Sequence, residues 1–170
     1  MIASRTAIAF AVLAACLTLA GCGDKPQAAD TSSAPSASPT PGSVINACTL
    51  IGSDDIAKLL GKPIDGRPIG APPDAPACTW ENRDTYESIT LEIGNPGTAV
   101  DDVLSPPEAG FPDAGAPGPD GMRILASGMV EFAAAGRSNT VQVAVLALTG
   151  QAADNAAVDL ARKIGPHLPR

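Results

Sequence analysis

The sequence predicts an α+β fold: an antiparallel sheet of about five strands, with N- and C-terminal helices packed on it and one disulfide. Three observations carry this. Residues 88–93 alternate, with Ile89, Leu91 and Ile93 on one side and Thr90 and Glu92 on the other, which is the period of a strand with one covered face. Strand-like runs at 123–126, 129–135 and 140–148 follow one another too closely for crossover helices, so they pair antiparallel. Residues 151–164 place Ala153, Ala157, Leu160, Ala161 and Ile164 on one helical stripe, with Pro166 just beyond as a stop.

The elements follow in order. A first helix begins near Ser53, which can cap it. Asp54 and Asp55 sit where the helix dipole favours acids, Ile56, Leu59 and Leu60 form the apolar stripe, and Gly61 can end it. A loop rich in Pro and Gly follows, from Pro63 to Pro76. A strand over 78–81 then pairs with 88–93 as a hairpin turning through 82–87. Thr98 and Asp101 resemble a capping box opening a short helix to about Leu104, which Pro106 and Pro107 must stop. Residues 105–121 form a second long loop dense in Pro, Gly and Asp, with Phe111 inside it; loops of that length are often functional. The last hairpin turns at 136–139. In its second strand Val141, Val143 and Val145 face one side and Ala144, Leu146 and Leu148 the other, the pattern of a central strand covered on both faces.

Ahead of this domain the chain has a different character. Arg5, an apolar stretch from Ala7 to Leu19, and the run Leu19-Ala20-Gly21-Cys22 have the anatomy of a lipoprotein signal, cut between Gly21 and Cys22 and lipidated on the Cys22 thiol. The apolar stretch is shorter than the roughly 18 to 20 residues that cross a hydrocarbon core, and no basic flank stops it. Residues 22–43 are rich in Ala, Ser, Thr and Pro and hold no large apolar residue, so they read as a disordered tether, whose hydroxyls beside proline could also accept sugars. The division expected is therefore 1–21 signal, 22–43 lipidated tether, and 44–170 folded domain. That domain is of single-domain size, and it must build its core from aliphatic residues, because Trp80, Tyr86, Phe111 and Phe132 are its only aromatics.

Four cysteines are present. Cys16 leaves with the signal and Cys22 takes lipid, so Cys48 and Cys78 remain; in an exported domain they are expected to be joined. Two reduced ligands or a redox pair are the alternative, without a C-x-x-C spacing or a nearby histidine to support it.

Ala47-Cys48-Thr49-Leu50-Ile51, Ile56-Ala57-Lys58-Leu59-Leu60-Gly61 and Cys78-Thr79-Trp80, behind a lipobox and a Ser/Thr/Pro tether, resemble a family of actinobacterial cell-envelope lipoproteins of unknown function. The resemblance covers residues 47–80, and beyond them only the order of elements. It implies an extracytoplasmic, membrane-anchored location and a small α+β domain whose two cysteines pair. It supplies no catalytic residue.

The chemistry-bearing residues are sparse. His167 is the only histidine and follows the final helix, so zinc is not expected. No G-x-S-x-G elbow, P-loop or G-x-G-x-x-G after a strand is present. Asp54-Asp55 and Asp101-Asp102 fall in first turns of expected helices, which explains them without a metal. Asp113 and Asp120 lack EF-hand spacing. Phe111 and Arg123 are the candidate contacts for a ligand or partner. Losing Arg5 with a leader that holds no acid takes the formal charge from −7 to −8, which disfavours nucleic acid and anionic headgroups. The expectation is a monomeric, non-catalytic binding or accessory module, without cofactor or metal, for an envelope lipid or protein; the alternative is a hydrolase with an unrecognised carboxylate site. A deep aliphatic pocket would favour lipid, and a filled core with exposed apolar surface would favour a protein.

Overall fold

A computed structural model describes residues 45–70, 76–107, 110 and 115–170. The expected signal cleavage and lipidation at Gly21 and Cys22, the tether, and Phe111 and Asp113 lie outside these residues.

The fold is α+β, with one antiparallel sheet and helices on one face of it. The sheet has seven strands among the described residues: β1 (Arg67–Ile69), β2 (Ala77–Asn82), β3 (Glu87–Glu92), β4 (Ala116–Pro117), β5 (Arg123–Ala126), β6 (Met129–Ala134) and β7 (Arg137–Ala144). Their spatial order is β1-β2-β3-β7-β6-β5-β4, every neighbour antiparallel. Two meanders thus meet at β3 and β7, where Ile89 pairs with Val143 and Leu91 with Val141. The helices are α1 (Ser53–Leu60) and α2 (Gln151–Ile164). α1 rests on β3, and α2 on β7 and β6.

Seven strands replace the expected five because β1 and β4 lie inside the proline-rich loops. They are short and carry Pro68 and Pro117, so they show no local periodicity, and only their pairing with β2 and β5 makes them strands. They are also the two edges, where short length and proline discourage pairing with another chain.

Four further expectations change. No α-helix opens at Thr98: only Val100–Asp102 form a 3₁₀ turn, with Asp101 and Asp102 both at positive φ. The Thr98 hydroxyl instead accepts from the Ser138 amide at 2.8 Å, and Asp102 Oδ1 accepts from the Gly136 amide at 2.7 Å, so this segment clasps the β6–β7 turn. That turn is the two-residue Ala135-Gly136, both at positive φ, so β7 starts at Arg137 instead of 140. β7 is covered on one face only: Val141, Val143 and Val145 are buried, whereas Ala144 and Leu146 are exposed. In α1, Ser53 is the first helical residue, and the cap position falls on Gly52 with no side-chain bond. α2 forms over the residues its stripe predicts, burying Ala153, Ala157, Val158, Leu160, Ala161 and Ile164.

The core is mostly aliphatic, with Ile56 and Leu60 from α1, Ile89, Leu91, Val130, Phe132, Val141 and Val143 from the sheet, and the α2 stripe. Two buried asparagines tie elements together. Asn139 Nδ2 donates to the carbonyls of Phe132, Ala134 and Arg137, while its Oδ1 accepts from the Gly94 amide. Asn82 Nδ2 donates to the Leu60 carbonyl at the end of α1, and its Oδ1 accepts from the Asp84 amide in the β2–β3 turn. Cys48 and Cys78 are bonded with Cα atoms 5.1 Å apart, linking the segment before α1 to β2 as expected. Gly66 crosses this link so closely that a Cβ there would lie 2.6 Å from Cys78 Sγ and 2.8 Å from Trp80 Nε1.

Candidate functional site

The helix layer does not close. Between α1 and α2 runs an open groove of about 560 Å³. Leu59 of α1, Leu148 after β7, and Ala152, Ala156 and Leu160 of α2 give it an apolar floor; Asp55, Lys58, Asn155, Asp159, Arg162 and Lys163 make its rim. These positions follow from helical spacing. Asp55, Lys58 and Leu59 are three and four apart, as are Ala152, Asn155, Ala156, Asp159 and Lys163, so each helix turns a second stripe, distinct from its core stripe, toward the gap. One ion pair, Lys163 with Asp55, bridges the two helices.

Leu148 also lines a shallower concavity of about 310 Å³, whose wall holds Tyr86, Glu87, Val145, Leu146 and Ala153. Tyr86 is 82 % exposed and Leu146 79 % exposed. Extending the β3–β7 register past Ser88 and Ala144 brings them opposite each other. The Glu87 carboxylate holds this end of the sheet: one oxygen accepts from the Leu146 amide and the other from the Thr85 hydroxyl, both at 2.8 Å. Tyr86 sits at φ 60°, after a turn in which the Asn82 carbonyl accepts from both Thr85 and Tyr86 amides. That backbone position favours glycine, and a bulky aromatic there costs on the order of 1 kcal/mol.

Of the described residues singled out from sequence, Asp55 lies on the groove rim and the others lie elsewhere. Arg123 is on β5, where it donates to Glu131 at 2.8 Å and to the Ser105 carbonyl at 2.7 Å; Glu131 also accepts from the Ser138 hydroxyl at 2.5 Å. This half-buried cluster pins the loop after Val103 against the sheet face opposite the helices. Arg137 donates to the Gly94 carbonyl. Asp55 lies in the first turn of α1 as expected, Asp102 accepts from Arg170, and Asp120 pairs with Arg162 at 2.8 Å. His167 ends a 3₁₀ turn after α2. Among the described residues no group of three or more His, Cys, Asp or Glu side chains is placed to share a metal ion, and no helix is long and apolar enough to cross a membrane.

Among the described residues two titrations are displaced, both at the surface. The Lys62 ammonium, hydrogen-bonded at 2.5 Å, holds the Asp84 carboxyl below its ordinary range. Asp120 and then Asp159 push the Arg162 guanidinium, already fully charged, further up. Neither shift makes a proton donor or acceptor near neutral pH, and neither group lies in an enclosed cavity.

No protein-family model, no curated protein and no solved structure matches the chain.

Proposed function

We propose that the chain is a membrane-anchored extracytoplasmic lipoprotein, tethered through a lipidated Cys22, whose folded part is a non-catalytic binding module for a protein of the cell envelope. The placement outside the cytoplasmic membrane rests on the lipobox and on the resemblance to actinobacterial envelope lipoproteins. A paired Cys48 and Cys78 is the oxidised state that such a compartment favours.

The observation that carries the binding reading is the disposition of apolar surface. The sheet and helices gather most of their apolar residues into one core, while Tyr86 and Leu146 stand together in solvent beside an open concavity; Val100, Val103 and Leu125 are exposed elsewhere on the surface. An acyl chain laid in such an open groove would keep much of its length in water, whereas a protein brings its own surface to cover the patch. The sparse chemistry favours recognition over turnover.

The test is detergent extraction of the membrane-anchored protein, purification under native conditions and mass spectrometry of what accompanies it. A stoichiometric envelope protein is expected. A defined lipid as the only companion would replace the protein reading by an amphiphile-binding one, and neither would overturn both.

A further inference from the structure

We propose that Cys48 is the sulfur through which a thiol–disulfide oxidoreductase exchanges with the Cys48–Cys78 bond, by a mixed disulfide on Cys48 with Cys78 as the resolving partner. This stands apart from the binding reading: it names a covalent exchange site and the class of enzyme that uses it.

The two sulfurs are bonded to each other and lie in different surroundings. Cys78 is in β2, opposite Pro68 of β1 and Leu91 of β3, and has no exposed surface. Gly66 passes over it so closely that a Cβ there would lie 2.6 Å from its Sγ, with Trp80 Nε1 2.8 Å from the same point. Cys48 belongs to the three-residue 3₁₀ turn Ala47–Thr49 before α1. It is half-buried, and Asn46 and Thr49 beside it are exposed. The Asn46 side chain accepts from the Cys48 amide at 3.1 Å, and the Thr49 hydroxyl donates to the Asn46 carbonyl at 2.9 Å, so local bonds hold this turn at the surface.

A thiolate attacks a disulfide in line with the bond that breaks, so the attacked sulfur must be reachable from solvent. Cys48 is, and Cys78 is not. In oxidation the Cys48 thiolate attacks the enzyme's disulfide, and one enzyme sulfur leaves as thiolate. The Cys78 thiolate then bonds to Cys48 Sγ and displaces the other. The two electrons and two protons end on the enzyme, whose disulfide becomes a dithiol. In reduction an enzyme thiolate bonds to Cys48 Sγ, and the electron pair of the broken bond leaves on Cys78 Sγ. That charge would lie beneath Gly66 and Trp80, away from water, which disfavours opening and favours closure. The fitting enzyme is therefore one that oxidises dithiols.

The test uses the full membrane-anchored chain as Cys78→Ala, which keeps the Cys48 thiol, and as Cys48→Ala, which keeps the Cys78 thiol. Each is purified in detergent, checked by circular dichroism and mixed with oxidised glutathione. The Cys48 thiol should form its mixed disulfide about tenfold faster or more than the Cys78 thiol, and the two rates should converge in concentrated urea. Equal rates in the folded proteins, or a faster Cys78, would overturn the assignment. Where a variant does not fold, the wild-type chain is treated with excess reduced glutathione and quenched in acid. Trypsin cuts after Lys58, so the two cysteines fall on different peptides. Glutathione on the Cys48 peptide is expected; its absence there, or an excess on the Cys78 peptide, would overturn the same claim. Acid-quenched cells carrying Cys78→Ala should yield an oxidoreductase joined through Cys48. No enzyme adduct, or one formed only by Cys48→Ala, would overturn the enzyme assignment and leave the binding module untouched.

Discussion

Reducing the Cys48–Cys78 link probes the frame on which the groove is built. The bond closes a segment with a sequence separation of 30 residues and joins the approach to α1 to β2. In the chain-entropy treatment, a loop of that length removes about 12 cal/mol/K from the unfolded ensemble, or about 3.6 kcal/mol at 25 °C. Reduction leaves the side-chain volumes in place, so it isolates this effect from the cavity that alanine would leave at the fully buried Cys78. With a urea slope of about 2 kcal/mol/M, the midpoint should fall by about 1.8 M. Urea titrations followed by fluorescence of Trp80, the sole tryptophan, with and without a phosphine reductant, read this directly. Midpoints that coincide, or two thiols that label in the native protein as isolated, would refute it.

Four other outcomes follow from particular contacts. Gly66→Ala should destabilise by about 1 to 3 kcal/mol and change the Trp80 emission, because the new methyl collides with Cys78 Sγ and the indole nitrogen; unchanged stability would contradict that packing. Asn139→Ala should cost about 2 to 4 kcal/mol in chemical denaturation, since it leaves the Gly94 amide and three carbonyls without a shared buried partner. Tyr86→Gly should raise stability by about 1 kcal/mol by relieving the left-handed backbone, with loss of stability as the contrary result. Lys62→Met should bring the Asp84 carboxyl back up toward the ordinary value of about 3.9 in an NMR titration. Because the folded pKa is depressed, this pair's stabilisation is present above the ordinary value and lost as pH falls through the depressed one, so the two proteins should converge in stability at strongly acidic pH.

What was legible in the sequence was what local periodicity determines. α2 forms over 151–164 because its five-residue stripe leaves no other face to bury. Ile89, Leu91 and Ile93 share the buried face that their alternation announces. The disulfide followed from cysteine arithmetic. Where a neighbour from far along the chain decides the structure, local reading failed. Asp102 looks like a helix-start acid, and it becomes the acceptor for the Gly136 amide. Asn139 reads as a turn residue, and it is a core residue of β7. Pro68 and Pro117 argue against strands, and they mark the two edges. The groove had no local signal at all, since it exists only once α1 and α2 lie side by side. Tyr86 had a faint one: it takes the left-handed position directly after the turn Asn82-Arg83-Asp84-Thr85, a place where glycine is the ordinary choice.

Attachment of lipid at Cys22 is the claim on which the placement of the domain depends, and an intact mass of the mature protein from membranes tests it most directly. The expected result is a polypeptide beginning at Cys22 and carrying at least two acyl chains, found in the membrane fraction and released to the soluble fraction by Cys22→Ala. A chain that keeps residues 1–21, is cut elsewhere, or pellets with membranes regardless of Cys22 would contradict it.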